Sequence, residues 1–181
     1  MLEGTVRVGD EVVFQPSGLR TTVAGIDTAT GALDAAPAGL SVAIRLTQDV
    51  DVARGDLLSS AVGATAAPRV VHAYVAWLTD TPLRARDRVV FQHGSSSTPA
   101  TVTAIRGILD ISLPGGDLES SIVAGSSLGL NDIGLVELQL ASPVAVEDYG
   151  SHPRTGAFCL VDTQDGNTLA AGTAHIPDGA E

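Results

Sequence analysis

The chain has 181 residues and carries 21 acidic side chains against 10 basic ones, a formal charge of −11, and every basic residue is an arginine. A P-loop needs a lysine to reach the outer phosphates, and Schiff-base or pyridoxal chemistry needs a lysine amine, so neither can operate here. The acidic excess argues against nucleic acid, whose affinity for a protein comes mostly from neutralised phosphates, and ten arginines scattered from Arg7 to Arg154 form no basic patch in the sequence.

Short β-branched runs alternate with 20 glycines and 9 prolines, which predicts an all-β protein. Residues 12–15 form the first run, closed by Pro16-Ser17-Gly18, and residues 21–27 the second. Residues 41–46 alternate, with Val42, Ile44 and Leu46 on one face and Ala43 and Arg45 on the other, as in a strand with one buried side. Residues 61–68 read AVGATAAP, small residues without a periodic face. The organisation expected is therefore a unit over 1–62, a linker over 63–68 and a second unit over 69–181.

The second unit opens with a long strand over 70–78, with Val71, Ala73, Val75 and Trp77 on one face and His72, Tyr74 and Leu78 on the other. Shorter strands are expected at 89–92, 101–105 and 110–113, and one or two helical turns at 118–124. Residues 133–140 read as half-buried, Val136, Leu138 and Leu140 pointing in. Strands at 157–162 and 168–175 complete the set. Strands at this spacing without helices between them predict barrels or sandwiches, not βαβ units. No internal repeat is visible, and the two units do not align with one another.

A 44% apolar fraction supplies a core, built mainly from Val, Leu, Ile and Ala because only 3% of residues are aromatic. The charged fraction of 17% lies below the ~25% of ordinary globular chains and speaks against disorder. No run approaches the ~18 apolar residues of a membrane span, and Met1-Leu2-Glu3-Gly4 lacks the features of a signal peptide. Cys159 is the single cysteine, which excludes an internal disulfide and suits a reducing cytoplasm.

Few residues point to chemistry. His72, His93, His152 and His175 lack the local spacing of a zinc motif, and Cys159 has no partner thiol. Gly94-Ser95-Ser96-Ser97-Thr98 precedes Pro99 and a β-branched run instead of a helix N-terminus, so it reads as a hairpin loop and not an anion cradle. No G-x-S-x-G elbow exposes a nucleophile. Asp49, Asp51 and Asp56 surround Arg54 without calcium-loop spacing; a glycine turn at Gly55 is expected to let the Arg54 and Asp56 charges meet. No catalytic, cofactor-binding or metal-binding residue is assigned.

The residues nevertheless carry a resemblance. Val8-Gly9-Asp10-Glu11-Val12-Val13-Phe14-Gln15-Pro16-Ser17-Gly18 resembles the second-domain barrel of elongation-factor-type translational GTPases, and residues 36–46 and 50–56 are similar to its later part. Leu130-Asn131-Asp132-Ile133-Gly134, Thr155-Gly156-Ala157-Phe158 and Asn167-Thr168-Leu169-Ala170-Ala171-Gly172 are similar to the third domain of the large GTPase subunit of bacterial sulfate adenylyltransferase. Cys159 stands where that family has an aliphatic residue, and Thr173-Ala174 where it has methionine-isoleucine.

The resemblance implies two consecutive Greek-key-type β-barrels, the first lacking its N-terminal strand, from the C-terminal portion of a longer cytoplasmic protein. It implies a scaffold that joins the small catalytic subunit, in a complex that makes adenosine 5′-phosphosulfate from ATP and sulfate. A separate GTPase domain is a second implied partner. GTP and magnesium would belong to that domain, which leaves this chain without a cofactor and not catalytic alone. Nucleic-acid and membrane partners are not expected. The alternative is a free-standing translation-factor-like β-barrel that binds another protein. Trp77, Tyr74 and Phe158 are either anchors for a partner or fillers of an aromatic-poor core.

Overall fold

A computed structural model describes residues 1–110 and 121–176. Strands dominate them, and the chain divides into two compact units, Met1–Ala66 and Ala67–Glu181.

The first unit holds β1 (Thr5–Arg7), β2 (Glu11–Gln15), β3 (Leu19–Thr28), β4 (Gly31–Leu33), β5 (Ala35–Pro37), β6 (Ala43–Leu46) and β7 (Leu57–Ser60). Its main sheet runs β4-β3-β2-β7 with β6 also on β3, while β1 and β5 pair apart from it. This is an open half-barrel. Its core is Val6, Val12, Val23, Ile26 and Ala36, against which Val42, Ile44 and Leu46 pack as the alternation predicts.

The second unit holds β8 (Val70–Trp77), β9 (Leu83–Arg84), β10 (Arg88–His93), β11 (Ser96–Leu109), β12 (Ile122–Val123), β13 (Ser127–Leu128), β14 (Ile133–Leu140), the short helix α1 (Pro153–Gly156), β15 (Ala157–Val161) and β16 (Thr168–Ala174). The order β10-β15-β16-β8-β14-β11 returns to β10 through the β10–β11 pairing, a closed six-stranded antiparallel barrel. Closure satisfies both edges of every strand in the ring. The inward faces meet in one core. Val71, Ala73, Val75 and Trp77 from β8 join Phe91, Val102, Val136, Leu138 and Leu160.

Several elements depart from the sequence expectation. β11 runs for 14 residues, from Ser96 to Leu109, where a short strand over 101–105 is expected. Pro99 lies inside it, and register shifts between Val102 and Ala104 and between Ile105 and Gly107 break the period of two that marks a strand. Beyond Asp110, the strand expected at 110–113 lies outside the described residues, as does most of the helical segment expected at 118–124; within its described part, Ile122–Val123 is strand. α1, four residues long with proline at its start, is too short to show a helical period in the sequence.

The structure also contains a repeat that the sequence conceals. In Arg7-Val8-Gly9-Asp10, the Arg7 N–H donates to Asp10 Oδ2 at 2.7 Å and the Asp10 N–H returns to the Arg7 carbonyl at 3.1 Å, around a left-handed Gly9. Ala53-Arg54-Gly55-Asp56 closes in the same way, at 2.8 and 3.1 Å. So does Arg84-Ala85-Arg86-Asp87, at 2.7 and 3.2 Å, with Arg86 left-handed. Gly129-Leu130-Asn131-Asp132 is the fourth, at 2.7 and 3.0 Å around a left-handed Asn131. Each aspartate is followed at once by a strand: β2, β7, β10 and β14.

Three of these turns dock on a buried residue by a reciprocal pair of backbone bonds. Gly9 N–H donates to the Val23 carbonyl and Val23 N–H to that of Asp10; Arg86 and Asp87 hold Val102, and Asn131 and Asp132 hold Trp77, in the same way. In β3 and β11 a register shift follows the held valine. The two units thus share a β-turn-β-hairpin block. Only the aspartate is common to all four turns, which is why the sequences do not align.

A non-glycine residue in the left-handed region costs about 1 kcal/mol or more. Arg86→Gly is therefore expected to raise stability by roughly 0.5–1 kcal/mol, and Gly9→Ala to lower it by about 1 kcal/mol. Urea unfolding of the two variants checks the opposite signs.

Candidate functional site

The motifs behind the family resemblance prove to mark close approaches of backbone. A Cβ on Gly156 would stand 2.5 Å from Tyr149 Cα and 2.9 Å from the Glu147 carbonyl oxygen. One on Gly134 would stand 2.8 Å from the Gly107 carbonyl oxygen. Gly172 lies opposite Phe158 across the β15–β16 ladder, and a Cβ there would fall 2.3 Å from the Phe158 ring. Phe158 in turn packs on Phe91, with ring centroids 4.4 Å apart. These positions shape the barrel wall.

Polar groups gather where the chain returns from β14 to β15. Thr155, buried at the end of α1, donates its hydroxyl to Glu147, and His93 Nε2 donates to the Thr155 carbonyl at 2.7 Å. His152 Nδ1 lies 4.0 Å from Glu147, and His175 Nδ1 3.9 Å from Asp148. Asp148 also accepts from the backbone N–H groups of Ser151 and Ile176. Residues far apart in sequence thus pin the 147–156 segment to β10 and β16.

The hydroxyl, imidazoles and carboxylates resemble the parts of a nucleophilic triad but are not arranged as one. The Thr155 proton goes directly to Glu147, no imidazole nitrogen bonds its oxygen, and the residue is buried. A nucleophile needs its base within hydrogen-bond reach. The cluster fastens a strap.

A second network lies on the outer wall. Glu137 accepts from Arg106 Nη2 at 2.5 Å and from the Thr103 hydroxyl at 2.7 Å, with His72 opposite it across the β8–β14 ladder. The Arg106 hydrogen bond, then that of Thr103, holds the Glu137 carboxyl below the usual glutamate range, against the opposing effect of burial.

The remaining expected features fall into place individually. Gly94-Ser95 is the two-residue loop of the β10–β11 hairpin. The Arg54–Asp56 ion pair expected from sequence does not form: Asp56 accepts from the Ala53 N–H instead, which closes the turn and occupies the carboxylate. Trp77 and Phe158 are core residues, and the Trp77 indole donates to the Thr81 carbonyl at 2.8 Å. Tyr74 is half-buried against His175, ring centroids 5.6 Å apart. None of the three is a free aromatic anchor. Among the described residues, no three His, Cys, Asp or Glu side chains group as metal ligands, and no helix is long and apolar enough to cross a membrane.

Comparison with known proteins places this geometry. The model of the family described as GTP-eEF1A C-terminal domain-like matches residues 70–175. The chain is 36% identical over 177 residues to the bifunctional enzyme NodQ of Azospirillum brasilense, covering 98% of this chain and 28% of that protein. It is 36% identical over 169 residues to sulfate adenylyltransferase subunit 1 of Tolumonas auensis, covering 93% of this chain and 34% of the relative. Against the same subunit of Teredinibacter turnerae it is 33% identical over 171 residues, 94% of this chain and 35% of the relative. The chain therefore spans about a third of the length of these curated relatives. Among solved structures, Sup35 complexed with GDP superposes with a TM-score of 0.82 at 22% identity, covering 97% of this chain and 42% of that one. That likeness is one of fold.

A carboxyl whose pKa is lowered on folding stabilises the native state above its unfolded pKa and loses that contribution as pH falls through the folded value. Glu137→Gln is expected to cost about 0.5–1 kcal/mol at neutral pH, with the deficit shrinking as pH falls below the ordinary glutamate range. Denaturant midpoints measured from neutral to acidic pH test this, a constant deficit counting against it. Thr155→Val, which leaves Glu147 without the hydroxyl, is expected to cost about 1–3 kcal/mol in the same assay.

Proposed function

This chain belongs to the GTP-eEF1A C-terminal domain-like family, and we propose that it serves as the β-barrel portion of the large subunit of a sulfate adenylyltransferase, a scaffold for subunit association. The observation that carries this reading is 33–36% identity to subunit 1 of that enzyme over 93–98% of the chain. The reaction assigned to the whole complex is formation of adenosine 5′-phosphosulfate from ATP and sulfate. This chain's share is mechanical. A closed barrel is rigid, and its motif residues are spent on close packing. The nucleotide chemistry, with GTP and magnesium, is assigned to a nucleotide-binding domain of such a subunit, and adenylyl transfer to the small catalytic subunit.

A scaffold needs surfaces that hold their shape when a neighbour changes state. The strap over 147–156 and the Arg106–Glu137 brace stiffen the wall of the closed barrel, so displacement at one face is transmitted as rigid-body motion. The second reading is a free-standing β-barrel module that binds another protein, and one experiment separates the two.

The chain is expected to co-elute with the small catalytic subunit in gel filtration at micromolar concentration, a range typical of specific association, and to form no adenosine 5′-phosphosulfate when incubated alone with ATP and sulfate. Separate elution would favour the free-standing module; turnover by the isolated chain would overturn both.

A further inference from the structure

We propose that the outer wall of the closed barrel over β16, β8 and β14 is the face on which this chain docks its partner subunit, and that the partner meets it with an apolar patch edged by lysine or arginine. The face follows from the ladders. In β8, Ala73, Val75 and Trp77 point into the core, so Tyr74 and Ala76 point out. Their neighbours on the two sides are Thr173 and Ala171 of β16, and Leu135 and Ile133 of β14. Leu78 and Leu130 flank the bond from the Asn131 N–H to the Trp77 carbonyl, and each is 48% exposed. All these outward positions are exposed or half-buried, and none of them is charged.

Three strands about 4.8 Å apart, with outward residues about 6.8 Å apart along each, give a patch of roughly 300 Å². A patch of that size forms the apolar centre of an interface that buries about 800 Å² on each partner, the remainder being a polar rim. The rim here is acidic. Residues 70–83, 121–140 and 155–176, which build this face and the turns at its ends, contain five carboxylates and no arginine. Arg106 reaches in from β11 to one of them, Glu137. The other four, Asp80, Asp132, Asp162 and Asp165, lie at the end of the barrel where β8 finishes and β14 and β16 begin, the end that carries Leu78 and Leu130. Among the described residues none of the four has a cation within ion-pair distance.

An acidic rim beside an uncharged centre selects its occupant by charge. A second copy of the chain brings the same aspartates and the same formal charge of −11, and nucleic acid or an anionic membrane is repelled in the same way. A protein surface with apolar side chains at its centre and lysine or arginine on its edge is attracted, and it covers the two exposed leucines. The inference rests on the scaffold reading for the identity of the partner, the small catalytic subunit, and adds to it the face and the chemistry of the contact.

The test is titration calorimetry of the full chain with the small catalytic subunit at low and high salt. Leu78→Ser combined with Leu130→Ser, both at exposed positions, is expected to weaken binding about tenfold or more, and so is Ala76→Arg at the centre of the face. Asp80→Arg is expected to weaken binding and to flatten its salt dependence. Gln92→Arg, exposed on β10 at the opposite side of the six-stranded ring, is expected to leave it unchanged. Circular dichroism checks that each variant keeps its strands. If the unaltered chain does not bind, the scaffold reading and this face fall together. If it binds, and either the double leucine variant or Asp80→Arg binds equally well, the scaffold reading stands and the face is overturned. Loss of binding confined to Gln92→Arg overturns it too, as does a dimer of the unaltered chain in sedimentation that the leucine substitutions dissolve.

Discussion

The aspartate-closed turn is the constraint on which both units depend. One carboxylate accepts the N–H three residues upstream, and the aspartate's own N–H closes the ring around a left-handed residue. The next residue begins a strand, so the turn sets where β2, β7, β10 and β14 start. In a strand, a slip of one residue exchanges the buried and exposed faces. Turns that also clamp Val23, Val102 and Trp77 by backbone bonds fix register at residues that are themselves in the core. A core with few aromatics has less shape to specify register, and here the backbone does so instead.

The same economy explains the glycines of the family-like motifs. Gly134, Gly156 and Gly172 lie where another strand, a turn or an aromatic ring comes closer than any side chain allows. Phe158 covers Gly172 across the ladder and fills the space a side chain would have taken. Sequence patterns of this kind identify a family because the packing cannot change without the glycine. They carry no reaction with them.

Much of the barrel was legible in the sequence, and the failures have physical causes. The alternation of Val71, Ala73, Val75 and Trp77 against His72 and Tyr74 gave β8 its faces correctly, as did Val136, Leu138 and Leu140 for β14. β11 reads as a shorter strand because its bulges shift the period and Pro99 looks like a breaker. Strands of two or three residues, such as β9 and β13, are too short to show any period. The polar strap was invisible, since His93, Glu147, Thr155 and His175 meet only through the closed topology. Only the adjacent Glu147-Asp148 pair ahead of Thr155-Gly156 hinted that carboxylates were needed there.

The acidic excess takes on a structural meaning in this light. Asp10, Asp56, Asp87 and Asp132 close turns, Asp148 holds the backbone of Ser151 and Ile176, and Asp162 accepts from Gln164 and Asp165. These carboxylates are engaged by backbone N–H groups. Part of the negative charge is thus a by-product of how the turns are made. Arginine then suits the opposite role better than lysine. The Arg45 guanidinium lies over Gly25, which has no side chain to displace it, and bonds Asp27 at 2.7 Å, while Arg106 braces Glu137 across two strands. Each contact is made by one N–H of a planar guanidinium.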